Sequence, residues 1–130
     1  MRIFLNAVLF TLGLFILVSP VSAKDIYYCV PDETTGFSPK ENYKLYNYQN
    51  ERFNLEVDFE NQTMKSSKIG MHDRVACESS VFGHTLYCIS QYGRSLALNK
   101  KTLKFYLSTM FLSQTPKDDI FLAHGSCEKF

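Results

Sequence analysis

The chain has 130 residues, 45% of them hydrophobic, and a formal net charge of +1. That is one domain with enough apolar side chain for its own core and no need of a structural metal. The near balance of basic and acidic residues argues against a nucleic-acid binder, which is normally basic, and against long-range steering toward a charged partner.

The first residues have the design of an export signal. Met1-Arg2 is a short positive start, Ile3 to Val18 is a mostly apolar run, Pro20 breaks it, and Val21-Ser22-Ala23 is a small-residue cleavage site. The apolar run is shorter than the roughly 20 residues a membrane-spanning helix needs. The expected division is therefore residues 1–23 as signal peptide and residues 24–130 as a single exported domain, periplasmic or secreted, with no membrane span after cleavage. Removing Arg2 leaves basic and acidic residues equal in number.

All four cysteines, Cys29, Cys77, Cys88 and Cys127, fall in that domain. An even count in an exported chain points to two disulfides. Three pairings are possible. Cys77–Cys88 across a hairpin and Cys29–Cys127 between the first and last strands are favoured. No C-x-x-C is present and the spacings are not those of a zinc module, so no metal and no cofactor is expected.

Asp25 to Val30 is a short strand rich in β-formers. Pro31 to Gly36 has loop chemistry. Ser38-Pro39-Lys40-Glu41 fits a capping box and predicts at most one short helical turn. Tyr43 to Tyr48 is a strand or a lead-in to the next one. Phe53, Leu55, Val57 and Phe59 then alternate with Asn54, Glu56 and Asp58, the period of a strand with one wet and one dry face. Glu60 to Thr63 turns it into a return strand, Met64 to Ile69.

Gly70 to Asp73 predicts a turn, Arg74 to Glu78 a strand, Ser79 to His84 a loop and Thr85 to Gln91 a strand. After Tyr92-Gly93-Arg94 comes a second hairpin: Ser95 to Leu98, the turn Asn99-Lys100-Lys101-Thr102, and Leu103 onward. Aligned on their turns, both hairpins carry an apolar-x-apolar arm, then Glu or Asn, two further residues, Thr, an apolar residue and Lys. Leu103 to Leu112 fits both a strand and a helical face; its Thr, Ser, Phe and Tyr, and the antiparallel partner that the turn demands, favour strand. Ser113 to Asp119 is a polar loop, and Ile120 to Ala123 is the last clear strand, followed by Gly125 and Cys127. Short strands at turn-marked intervals predict a mainly β fold, an antiparallel meander closing into a small barrel or sandwich.

Chemistry-bearing residues are dispersed. His72, His84 and His124 lack the spacing of a metal or nucleophile motif. Glu33, Glu56, Asp58, Glu60, Asp118 and Asp119 could offer a carboxylate pair, with Glu56 and Asp58 projecting from one polar strand face, but two carboxylates on a wet face are common. Lys100 and Lys101, with Lys65, Lys68 and Lys104, could make a basic patch or simply blunt hairpin ends and sheet edges. Tyr27, Tyr28, Tyr43, Tyr46 and Tyr48 gather early in the chain, and tyrosine brings contact area plus a polar tip. The candidate binding surface is thus Tyr27, Tyr43, Tyr46 and Tyr48 with Lys100 and Lys101. Asn61-Gln62-Thr63 is a glycosylation sequon on a turn.

Tyr28-Cys29, Leu86-Tyr87-Cys88, Leu98 to Phe105, Asp119-Ile120-Phe121 and Gly125 to Phe130 together resemble a group of small exported bacterial β-proteins that end in a strand, a turn, a strand and a Gly-x-Cys. The likeness is one of scaffold, and that group has no activity to carry over. The plan of a small cysteine-stapled barrel is also similar to that of periplasmic C-type lysozyme inhibitors, whose glycine- and serine-rich inhibitory loop has no counterpart here. The expected function is a non-catalytic periplasmic or envelope binding module for an envelope protein, a glycan or a small apolar ligand, with no nucleic acid. The alternatives are a small hydrolase using dispersed His and carboxylate residues, and a lipocalin-like carrier of an apolar ligand.

Overall fold

The computed structural model of the chain describes residues 24–67, 69–109 and 119–130. The described strands are β1 Asp25–Phe37, β2 Leu45–Asn47, β3 Phe53–Asp58, β4 Thr63–Ser66, β5 Met71–Ser79, β6 Thr85–Ile89, β7 Arg94–Asn99, β8 Lys104–Thr109 and β9 Ile120–Lys129. Neighbours pair antiparallel, and β9 returns to β1, so β1 and β3 to β9 close an eight-stranded barrel. Of the two expected architectures, the barrel is the one formed. The proposed signal, residues 1–23, and the stretch 110–118 lie outside the described residues.

β1 is the long strand that lets the ring close. One edge pairs with β9 from Tyr27 to Phe37. The other pairs with β3 at Asp25–Cys29 and with β2 at Thr35–Phe37. The loop expected at Pro31 to Gly36 is therefore strand, and its residues explain why the loop signal misled. Pro31 sits in the gap between the β3 and β2 partners, where a missing N–H leaves no ladder bond unmade. Asp32 is the extra residue of a bulge between Pro31 and Glu33. The bulge resets the alternation: Tyr27 and Cys29 face inward before it, Thr34 and Gly36 after it, and Asp32 and Glu33 are both left exposed outside.

The predicted turn at Gly70 to Asp73 is also shorter than expected. β5 already begins at Met71, whose side chain is buried in the core. Likewise β9 runs on past Ala123 through Gly125 and Cys127 to Lys129. The one short helical turn is present as a 3-10 turn at Pro39–Glu41, with Pro39 leading it; Ser38 occupies the capping position in extended conformation without making a side-chain cap bond.

Both hairpins close one core, as their dry faces predict. Leu55, Val57, Met64, Leu98 and Phe105 are fully buried, and the Phe53 and Phe105 rings meet edge to face at 5.1 Å. Their burial is the main stabilising term of the barrel. The disulfides are Cys29–Cys127 and Cys77–Cys88, each joining residues directly opposite on neighbouring strands. Cα separations of 4.0 and 4.2 Å mark the close, non-hydrogen-bonded pairs of an antiparallel ladder.

The two hairpin turns share one geometry, although its equivalent residues differ from those of the sequence alignment. Asp58 accepts the N–H of Asn61 through its carboxylate, and Asn99 accepts those of Lys101 and Thr102 through its amide oxygen. Gln62 and Leu103 close the turns at φ +52° and +54°. Asp58 therefore matches Asn99 and Gln62 matches Leu103, two positions away from the pairing that matched Glu60 with Asn99. The likeness continues around the ring: β3, β4, β5 and β6 correspond to β7, β8, β9 and β1, with Cys77–Cys88 matching Cys127–Cys29.

Candidate functional site

The barrel has two ends. One carries the β3–β4, β5–β6 and β7–β8 turns; the other carries the β1–β3 connection with β2 and the β6–β7 turn. Lys100 and Lys101 are exposed at the first end, and Tyr43, Tyr46 and Tyr48 belong to the second. The predicted binding residues therefore do not make one surface. Tyr27 leaves the set altogether: it is buried inside the barrel, its ring edge-on to Phe59 at 6.2 Å and its hydroxyl 3.4 Å from Asp25. Period-two burial on β1 explains this, since Tyr27 shares the inward phase of Cys29.

At the second end the barrel opens in a recess of about 340 Å³. Its floor is Phe53, Leu107 and Ala123, and its rim includes Tyr48, Gln49, Glu51, Phe121 and Arg94. Tyr48 is set in place from both sides, 5.0 Å from the Tyr46 ring and 5.9 Å from that of Phe121. The Tyr48 hydroxyl is enclosed, with the Ser38 hydroxyl and the Asp119 carboxylate beside it. Burial, and then the nearby Asp119 carboxylate, push its pKa up. The phenol thus stays a neutral donor well into the alkaline range.

A wider groove of about 580 Å³ crosses the outside of β6, β7, β8 and β9. The register assembles it in rows. Tyr87, Ala97, Tyr106, His124 and Glu33 face one another across successive strands, and so do Ile89, Ser95, Ser108, Leu122 and Thr35. Small residues on β7 and β8 make the floor, where the Ser95 and Ser108 hydroxyls are hydrogen-bonded to each other at 2.5 Å. Large residues make the walls. Tyr87, Ile89, Tyr106 and Leu122 were missed as surface residues because each sits beside an inward apolar neighbour. The signal was there in Leu86-Tyr87-Cys88-Ile89 and Ile120-Phe121-Leu122-Ala123, unbroken apolar runs that belong to strands with two dry faces.

Among the described residues the dispersed chemistry does not converge. His124 has Nδ1 3.9 Å from Asp32 and Nε2 3.8 Å from Glu33, so both ring nitrogens address carboxylates rather than a serine. Glu56 and Asp58 do not act as a pair. Glu56 forms ion pairs with Arg74 and, at 3.8 Å, with Lys24, whereas Asp58 is buried and holds its turn. Among the described residues no group of three or more His, Cys, Asp or Glu is arranged to hold a metal ion.

No family model, no curated protein and no solved structure matches the chain.

Proposed function

We propose that the chain is a non-catalytic exported domain of the periplasm or envelope that binds a ring-sized group of a partner, a sugar or an aromatic side chain, in the recess at the second end of the barrel. The observation that carries this reading is the composition of the recess. It offers an apolar floor of Phe53, Leu107 and Ala123 beneath a rim of aromatic and polar side chains, the usual pattern of a small-group site. Two disulfides fit a compartment outside the reducing cytoplasm, and no helix among the described residues is long and apolar enough to cross a membrane.

The carrier reading receives less support, because Leu55, Val57, Met64, Leu98 and Phe105 fill the middle of the barrel below the recess. Among the described residues the hydrolase reading finds no base aimed at a nucleophile. The Gly125-Ser126-Cys127 ending keeps the chain beside the small exported β-proteins it resembles.

The test is a two-dimensional amide NMR titration of the oxidised chain with a panel of monosaccharides and small aromatic fragments. Shifts at Tyr48, Ile69 and Phe121 that vanish in Phe121→Ser support the reading. A panel that shifts nothing there, or only residues of the outer groove, overturns it. Fractionation supports export if the chain is recovered outside the cytoplasm beginning at Lys24.

A further inference from the structure

The outer surface of this barrel is divided. Strands β3 and β4 alternate strictly, so their outward residues, such as Asn54, Glu56 and Lys65, are polar. On β6 to β9, and on β1 and β2 beyond the bulge, large apolar side chains such as Tyr87, Ile89, Tyr106 and Leu122 stand outward among the polar ones. Besides the walls of the groove, Ile120, Phe37 and Leu45 are paired across β9, β1 and β2 and exposed on the same side. We propose that this face is the interface of a symmetric dimer of the chain, in which each copy lays its Leu122, Ile120, Phe37 and Leu45 ridge into the other's groove over Ser95, Ala97 and Ser108.

Area decides first. Tyr87, Ile89, Tyr106, Leu122, Ile120, Phe37 and Leu45 are each 38–70% exposed. At roughly 150–250 Å² per large side chain they present on the order of 700 Å² to water. The largest apolar patch of a typical monomer is about 300–600 Å², and one side of a standard protein interface is about 800 Å². The face is thus too large for an ordinary free surface and close to what one copy gives to a stable pair.

Shape and charge choose the occupant. A two-fold interface must be self-complementary, and a groove lying directly beside a ridge meets that condition when the axis passes between them. The two rows from Ile89 to Asn47 and from Ile120 to Leu45 contain no charged residue, the depletion expected at the centre of a protein interface. Among the described residues, the titratable groups around these rows include Asp32, Glu33 and His124, Glu78 opposite Tyr87 and Lys104 two residues before Tyr106. The carboxylates of Asp32, Glu33 and Glu78 at that margin oppose an anionic lipid surface, which selects basic residues.

Sedimentation velocity of the processed, oxidised chain over a micromolar to submillimolar series tests the dimer. The expected result is a dimer that dissociates on dilution. Leu122→Glu and Ile89→Glu, both on exposed side chains, are expected to shift it to monomer across the series with an unchanged circular dichroism spectrum. Phe82→Glu, on the β5–β6 loop, should leave the dimer intact. A wild-type chain that stays monomeric overturns the proposal, as does a dimer indifferent to both face substitutions. Flotation of a monomeric chain with phosphatidylglycerol vesicles would overturn it in favour of a lipid surface. The dimer does not depend on the recess, so fragment titration of Leu122→Glu separates failure of one reading from failure of the other.

Discussion

The backbone N–H of Cys77 donates to the carbonyl of Gln62 at 2.8 Å, and the backbone N–H of Cys127 donates to the carbonyl of Leu103 at the same distance. Each left-handed residue thus turns its hairpin and also anchors a disulfide cysteine on the adjacent strand. The carbonyl is backbone, so the link survives any side chain at the turn. The side chain only sets the conformational cost, and a non-glycine residue in this region costs about 1–2 kcal/mol.

Gln62→Gly is therefore expected to stabilise the barrel by about 1 kcal/mol, since Gln62 is exposed. Leu103→Gly should have the opposite sign, because Leu103 packs against the core and loses that contact. Thermal melts of the two variants against the parent check the contrast.

The disulfides should differ in weight. Cys29–Cys127 spans 98 positions and Cys77–Cys88 spans 11. In the chain-entropy account, replacing the first pair by alanine costs about 4–5 kcal/mol and replacing the second about 3. Urea unfolding of the two double variants measures the order, and a larger loss from the short loop would refute it.

Gly36 and Gly125 are required by close approach. A Cβ on Gly36 would strike the Ile120 carbonyl and the Phe121 backbone; one on Gly125 would strike the Val30 carbonyl and Pro31. Backbone cannot yield as a flexible side chain does, so Gly36→Ala and Gly125→Ala should each cost about 3 kcal/mol or more. Gly83→Ala meets no atom, but φ is +67° there, so its cost should be nearer 1 kcal/mol. Urea midpoints of the three variants compare them.

Tyr27 predicts an alkaline limb. Burial raises its pKa above the ordinary tyrosine value, and the Asp25 carboxylate raises it further. The folded state therefore binds this proton more tightly than the unfolded chain. The resulting stability is fully present below the ordinary tyrosine range near pH 10 and is lost as pH rises through the higher folded value. Tyr48 acts with the same sign. Tyr27→Phe keeps the ring contact with Phe59 and removes one titration, so its stability should fall less steeply above about pH 10, as measured by urea midpoints across that range.

Period-two alternation made β3 legible, and the paired hairpins and four cysteines made the barrel and its bridges legible. What misled was local chemistry whose meaning depends on a distant partner. Pro31 looks like a loop residue until the gap between β3 and β2 is known. Met71 to Asp73 look like a turn until β4 is laid beside them. For the surfaces, tyrosine clustering in sequence said little, because Tyr27 and Tyr46 lie toward opposite ends of the barrel, the first buried and the second exposed at the rim. The residues that shape the outer groove were hidden by their apolar neighbours, since a run such as Leu86 to Ile89 announces two dry faces without saying what dries the outer one.

The Cys29–Cys127 bridge also fixes how the ring responds to pull. Phe130 donates its backbone N–H to Ile26 at 2.9 Å, and Lys129 and Asp25 meet at 2.7 Å, so both ends of the described barrel leave from one rim. Tension on them peels β1 from β9 one pair at a time, the weakest loading geometry for a sheet. The peel passes Tyr27 and Tyr28 and then meets the covalent link at Cys29. Beyond that point force runs through sulfur, and the hydrogen-bonded wall behind it carries none. A tether at either end would thus fray two rungs and leave the recess at the far rim unmoved while the bridge is intact; under reducing conditions the same tether would unzip the barrel.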